Sequence, residues 1–165
     1  MRPLLRYARA LACTLALLAA SAAATAEATI RQFDADSLAP LRETQKGKPF
    51  VLVLWSLDCP FCEASLRTLS KKMRSNKNLR VVTLGTDPLS DPASAALMQQ
   101  RLAALGLTHN AWAFGPQPVE QLRYAVDQAW HGELPRSYWF GADGVGVAKS
   151  GLISAGTVDR FLSRH

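Results

Sequence analysis

Short apolar runs and helix-period segments take turns along the chain once the first 26 residues are passed. Phe50-Val51-Leu52-Val53-Leu54-Trp55 is an unbroken run of strand-forming residues, which predicts a strand buried on both faces. Residues 79–84 read as a second buried strand, closed by Gly85 and Pro88, and residues 30–33 as a weaker one. Asp36 or Ser37 can cap a short helix through about Gln45, with Pro40 in its first turn and Gly47 ending it. A helical segment also runs from the end of the first apolar strand to about Arg74. Asp91-Pro92 starts another helix, with Pro92 at a tolerated first-turn position. Leu97, Leu102 and Leu105 are among its apolar positions, and Gly106 ends it. A short strand at 111–114 and a helix over about 118–128 follow. Residues 137–140 and 145–149 flank Gly141-Ala142-Asp143-Gly144, a hairpin turn signal. A final helix is predicted over 157–163.

This order is βαβα, an extra βα pair, then ββα. Alternating strands and helices imply a parallel core, and the terminal hairpin adds an antiparallel edge. The predicted class is α/β, a mixed sheet with helices on both faces.

Residues 1–26 stand outside that pattern. Arg2, Arg6 and Arg9 supply a positive start, residues 10–20 are apolar but short for a bilayer span, and Ala24-Thr25-Ala26 offers small residues for cleavage. A secretory signal peptide cleaved before Glu27 is expected, leaving residues 27–165 as one domain. The competing reading is an uncleaved anchor extended through Ala24. Cys13 precedes most of the apolar stretch, where a lipid-modified cysteine would follow it, so it reads as a small apolar residue of the signal.

Charge then changes the picture little. The 165-residue chain carries 19 basic and 13 acidic side chains, but removing three arginines with the signal leaves a net of +3. No basic-aromatic stripe accompanies that excess, which argues against nucleic acid. Lys71, Lys72, Arg74, Lys77 and Arg80 surround a predicted helix C-terminus, where cations complement the helix dipole.

Cysteine usage is the sharper signal. The predicted mature chain keeps only Cys59 and Cys62, spaced C-x-x-C. A bridge over so short a loop constrains the unfolded chain little, so a reversible pair makes better sense than a structural one. A zinc site would need further ligands, and His109, His131 and His165 do not pair with one another. The attacking species in disulfide exchange is the thiolate, and a helix N-terminus stabilises it by up to ~2 kcal/mol. A buried strand, a short turn, Cys59 and then Pro60 at a first-turn position supply that arrangement. Asp58 opposes it, since a neighbouring carboxylate disfavours a second negative charge. Cys62, Leu66, Leu69 and Met73 fall on one apolar helical stripe, which turns Cys62 inward and leaves Cys59 at the exposed turn. Cys59 is therefore assigned as nucleophile and Cys62 as resolving thiol.

Trp55-Ser56-Leu57-Asp58-Cys59-Pro60-Phe61-Cys62 resembles the W-x-x-x-C-x-x-C site of thioredoxin-like proteins. Gly132-Glu133-Leu134-Pro135, followed by a strand, the Asp143-Gly144 turn and a strand, resembles that family's cis-proline loop and closing hairpin. The extra βα pair near residues 108–130, with the signal, is similar to the exported TlpA/ResA group. The resemblance implies a thioredoxin-like fold with a central βα insertion, and Pro135 as a cis-proline facing the dithiol. It implies that the Leu134 backbone pairs with a substrate segment, with Pro60 and Phe61 as further substrate-binding positions and Trp55 supporting the site. The implied activity is periplasmic thiol–disulfide exchange, in the reductase direction, with no cofactor beyond the reversible Cys59–Cys62 disulfide. Implied partners are proteins with disulfides or thiols, such as those of cytochrome c maturation or copper handling, and a membrane thiol transporter as electron donor.

The chain also departs from the family. Val53 stands where thioredoxin carries a buried acid, and Ser65 where many TlpA/ResA-like reductases have a glutamate. Glu63 is expected to pair with Arg67 at i+4, and Glu133 and His131 to be solvated turn residues, the alternative being an approach to the dithiol. Trp112, Trp130 and Trp139 are expected only to pack. Alternatives are an oxidase or isomerase of the same fold, and a binding or assembly protein whose thiols hold Cu(I).

Overall fold

The computed structural model describes residues 29–165, so the expected signal segment and its cleavage point lie outside the described residues. The elements run β1 (Arg31–Phe33), α1 (Leu38–Glu43), β2 (Phe50–Trp55), α2 (Pro60–Ser75), β3 (Val81–Pro88), α3 (Pro92–Leu105), β4 (Ala111–Phe114), α4 (Val119–Val126), β5 (Arg136–Phe140), β6 (Gly146–Ser150) and α5 (Ala155–Leu162). They build a six-stranded sheet in the order β1-β4-β3-β2-β5-β6. β2, β3, β4 and β1 are mutually parallel, while β5 and β6 form the antiparallel hairpin edge.

The unbroken apolar run of β2 is explained by its two faces. Val51, Val53 and Trp55 meet Cys62, Leu66 and Leu69 of α2, Met98 and Leu102 of α3, and Val158 of α5. Phe50, Leu52 and Leu54 point the other way, onto Leu41 of α1 and Leu122 and Val126 of α4. Strand alternation thus divides one hydrophobic segment between two cores, with helices on both faces as the sequence pattern predicts.

Three expectations are corrected. β3 does not close at Gly85 but continues to Pro88, its register with β4 shifting between those two residues. Met98 packs over the bare Gly85, where a Cβ would lie 2.6 Å from its Sδ. On α3, Leu97 is 53% exposed and Met98 is the buried residue beside Leu102. The last helix starts before residue 157, because Ser154 Oγ accepts the Thr157 N–H at 3.2 Å and caps it.

Candidate active site

The sharp end of β2 leads through the turn at residues 56–58 into α2, and the two cysteines sit at that junction. Cys59 is the N-cap residue, with extended φ/ψ of −87° and 108°, and Pro60 opens the helix, where the missing N–H is no loss. The Cys59 carbonyl accepts the Cys62 N–H at 3.1 Å, closing the first turn. The two sulfurs form a disulfide with Cα atoms 5.3 Å apart. Cys62 is fully buried within the core cluster, whereas Cys59 is half-buried and packs at its edge. Pro60 and Phe61, between them, are exposed, Phe61 at 61%. The inward stripe of α2 is therefore Cys62, Leu66 and Leu69, joined by Ser65.

The second segment at the site precedes β5. Leu134–Pro135 is a cis peptide, the geometry the resemblance implies. Leu54 pairs with Arg136, so continuing the antiparallel register by one residue sets Pro135 opposite Trp55 at the end of β2. Trp55 is fully buried. Leu134, Cys59 and Leu57 all pack against the core cluster that contains Trp55 and Cys62. The Pro135 carbonyl accepts the Gly151 N–H at 2.8 Å. Among the described residues, no hydrogen bond engages the Leu134 N–H or C=O.

No protein-family model and no curated protein matches the sequence, but solved structures do. A secreted Mycobacterium tuberculosis disulfide oxidoreductase homologous to E. coli DsbE is 21% identical with a TM-score of 0.55, over 74% of this chain and 86% of the other. A thioredoxin-family thiol:disulfide interchange protein from Chlorobium tepidum TLS is 17% identical with a TM-score of 0.56, over 74% and 83%. A thioredoxin-like protein in its oxidised form reaches 21% and 0.58, over 74% and 84%. The fold is thioredoxin-like. Further structural neighbours include M. tuberculosis DsbF, solved in mixed oxidised and reduced forms, and StoA from Bacillus subtilis.

Within this thioredoxin-like frame the two departures have structural roles. Val53 is fully buried between Thr83 of β3 and Ser137 of β5. Ser65, also fully buried, donates to the Phe61 carbonyl at 3.0 Å and accepts the Ile153 N–H at 3.0 Å. The side chain is thus a tie between α2 and the segment after β6. Glu63 pairs with Arg67 as expected, Arg67 Nε donating to Glu63 Oε1 at 3.0 Å. That hydrogen bond and charge hold the Glu63 carboxyl below its ordinary range.

Glu133 is an exposed turn residue, as expected, but it is also paired: it receives Arg136 Nη1 at 2.9 Å and Ser150 Oγ at 2.7 Å. Arg136, the residue after the cis-proline, also donates to Asp127 Oδ2 at 3.0 Å, Tyr138 Oη at 3.2 Å and Ser150 Oγ at 2.7 Å. Trp130 adds more than packing, its Nε1–H donating to the Glu133 carbonyl at 2.9 Å. The proline loop is thus braced from its back. Burial alone would raise the Asp127 carboxyl, but hydrogen bonds from the Ala129 N–H, Tyr138 and Arg136 hold it below its ordinary range. Glu133 is lowered against burial in the same way, mainly by Ser150. Tyr138 is raised, with burial the largest cause. His131 is exposed.

Two further side chains grip the turn before the dithiol. The Leu57 N–H donates to Asp87 Oδ2 at 2.9 Å, and Arg101 Nη1 donates to the Leu57 carbonyl at 3.0 Å. Sequence reasoning missed both. Asp87 lies on the part of β3 beyond the predicted strand end, and Arg101 on α3, 44 residues from Leu57. Among the described residues no three His, Cys, Asp or Glu side chains gather as a metal site; only the two thiols, once reduced, make a soft donor pair.

Proposed function

We propose that the chain is an exported thiol–disulfide oxidoreductase that reduces protein disulfides. The observation carrying this is the asymmetric pair, Cys59 at the mouth of a helix N-terminus and Cys62 sealed in the core, next to the cis Leu134–Pro135 peptide. A helix N-terminus favours the thiolate, and the unengaged Leu134 N–H and C=O suit β-type pairing with an extended substrate segment. Pro60 and Phe61 present exposed apolar surface beside it.

In the reductase direction the Cys59 thiolate attacks one sulfur of a substrate disulfide, forming a mixed disulfide and releasing the other sulfur as a thiolate. Deprotonated Cys62 then attacks Cys59 Sγ, releasing the second substrate sulfur and closing Cys59–Cys62. Two electrons pass to the substrate, and the pair itself serves as the redox group without another cofactor. A membrane thiol transporter is the fitting class of donor to reduce it again.

Export to the periplasm is supported by the signal-like residues 1–26 and by the likeness to a secreted mycobacterial protein. Residues 27–165 would then be the working domain. Among the described residues no helix is long and apolar enough to cross a membrane.

The test is exchange with a model protein disulfide together with a redox titration of the dithiol. Cys59→Ser is expected to abolish exchange, and Cys62→Ser to accumulate mixed disulfide. A potential near or below about −250 mV supports the reductase, and one near about −120 mV an oxidant. Wild-type exchange by both serine variants overturns the reading.

A further inference from the structure

Leu57 is held at both ends of its backbone by opposite charges brought from two other elements. Asp87 of β3 takes its N–H and Arg101 of α3 gives to its C=O, at 2.9 and 3.0 Å. The residue so gripped is two positions before Cys59, and the Cys59 N–H is itself only loosely tied, to the Ser56 carbonyl at 3.4 Å. Thr86 Oγ1 adds a long contact to the Trp55 carbonyl at 3.4 Å. The turn that presents the half-buried Cys59 is therefore set chiefly by a carboxylate and a guanidinium, and charge-assisted hydrogen bonds are the stronger kind.

We propose that Arg101 is a positioning residue of the dithiol: with Asp87 as its counterpart, it fixes the Leu57 turn and, through that turn and its own charge, stabilises the Cys59 thiolate. This rests on the reading of Cys59 as the attacking thiol. The charged and titratable groups carried by the segments that build the site are Asp58 on the turn, Glu63 and Arg67 on the first turns of α2, Asp87 on β3, Arg101 on α3, and His131 and Glu133 on the proline loop. Glu63 and Arg67 neutralise each other, and Glu133 is committed to Arg136. Arg101 makes no ion pair among the described residues, so its charge is left to act on the mouth of α2. Its field reaches that first turn: after the hydrogen bond and charge of Arg67, Arg101 also helps lower Glu63. It is thus a cation bound to the same turn that carries Asp58.

The experiment equilibrates the purified protein with glutathione, where one disulfide and two glutathione thiols give one dithiol and one glutathione disulfide. It also follows the pH dependence of Cys59 alkylation in the reduced protein. Arg101→Met is expected to shift the equilibrium three- to tenfold toward the Cys59–Cys62 disulfide, tenfold being about 30 mV for a two-electron couple. The alkylation midpoint is expected to move to higher pH. Arg101→Lys, which keeps a charged donor, is expected to stay within about twofold of wild type. Asp87→Asn keeps an acceptor for Leu57 while removing a negative charge, and is expected to move the midpoint down. Arg101→Gln replaces the Met variant if that one does not fold, with the same expected direction. A folded Met or Gln variant that matches wild type in both measurements overturns the proposal, as does a Lys variant displaced as far as Met. A wild-type dithiol that never exchanges with glutathione overturns the oxidoreductase reading itself. That result is distinct from exchange-competent wild type matched by its variants.

Discussion

Ser65 Oγ lies 3.0 Å from the Ile153 amide and accepts its hydrogen bond, joining α2 to a segment 88 residues away in the chain. Both partners are buried. The same hydroxyl donates to Phe61 within its own helix, so one small side chain locks the helix that carries the dithiol against the far end of the hairpin. Ser65→Ala removes the acceptor and leaves the Ile153 N–H buried without a partner, which costs about 1–3 kcal/mol. Denaturant unfolding should show that loss. Wild-type stability in the alanine variant would mean that Ile153 finds another acceptor.

The burial difference between the two sulfurs predicts unequal reactivity. In the reduced protein Cys59, half-buried at the helix mouth, should be alkylated by iodoacetamide at least about tenfold faster than fully buried Cys62. Mass mapping of partially labelled protein reads the ratio directly. Equal labelling would remove the assignment of attacking and resolving roles.

The burial difference itself was legible in the sequence because it rests on periodicity: Cys62, Leu66 and Leu69 share one helical face, and all three are buried. β2 was legible for a similar reason, since a strand covered on both sides leaves no polar position to break its apolar run. α3 was less so. Its Ala-, Leu- and Met-rich sequence has no sharp polar face, and Met98 rather than Leu97 turned inward, over the space left by Gly85. Asp87 and Arg101 left no local trace, because what they bind is the backbone of Leu57, and only the tertiary fold brings them to it. Glu133 carried a partial signal in Arg136 at i+3, but its Ser150 partner depends on the hairpin register.

Arg136 is the hub behind the proline loop, its side chain only 13% exposed and its guanidinium bonded to Asp127 and Glu133. Arg136→Met removes its hydrogen bonds and charge from Asp127 and Glu133, leaving Asp127 to the Tyr138 hydroxyl and the Ala129 N–H, and should cost about 1–3 kcal/mol. The pH dependence follows from the carboxyls. Asp127 and Glu133 are held below their ordinary values in the folded chain, so their contribution is complete above the unfolded-state pKa values near ~4 and is lost as pH falls through the folded ones. Stability curves should therefore separate above about pH 5 and converge toward pH 3 as the wild type loses its pairs. Curves that stay parallel down to pH 3 would show that the ion pairs contribute nothing to the brace.

Phe61 stands 61% exposed between the two cysteines, while its own carbonyl is occupied by Ser65. An exposed aromatic side chain stabilises the fold little, so Phe61→Ser should change unfolding free energy by no more than about 0.5 kcal/mol. Its apolar surface has value only when a partner covers it, where burying part of a ring at ~25 cal/mol per Å² easily amounts to about 1 kcal/mol. Exchange with a protein disulfide should consequently fall about three- to tenfold in kcat/KM, mostly through KM. Exchange with glutathione, too small to cover the ring, should fall much less. Stopped-flow exchange with a reduced or oxidised protein partner, run beside glutathione, separates the two. An equal loss toward both substrates would place the effect in the dithiol chemistry, and no loss toward either would leave Phe61 as surface without a role in recognition.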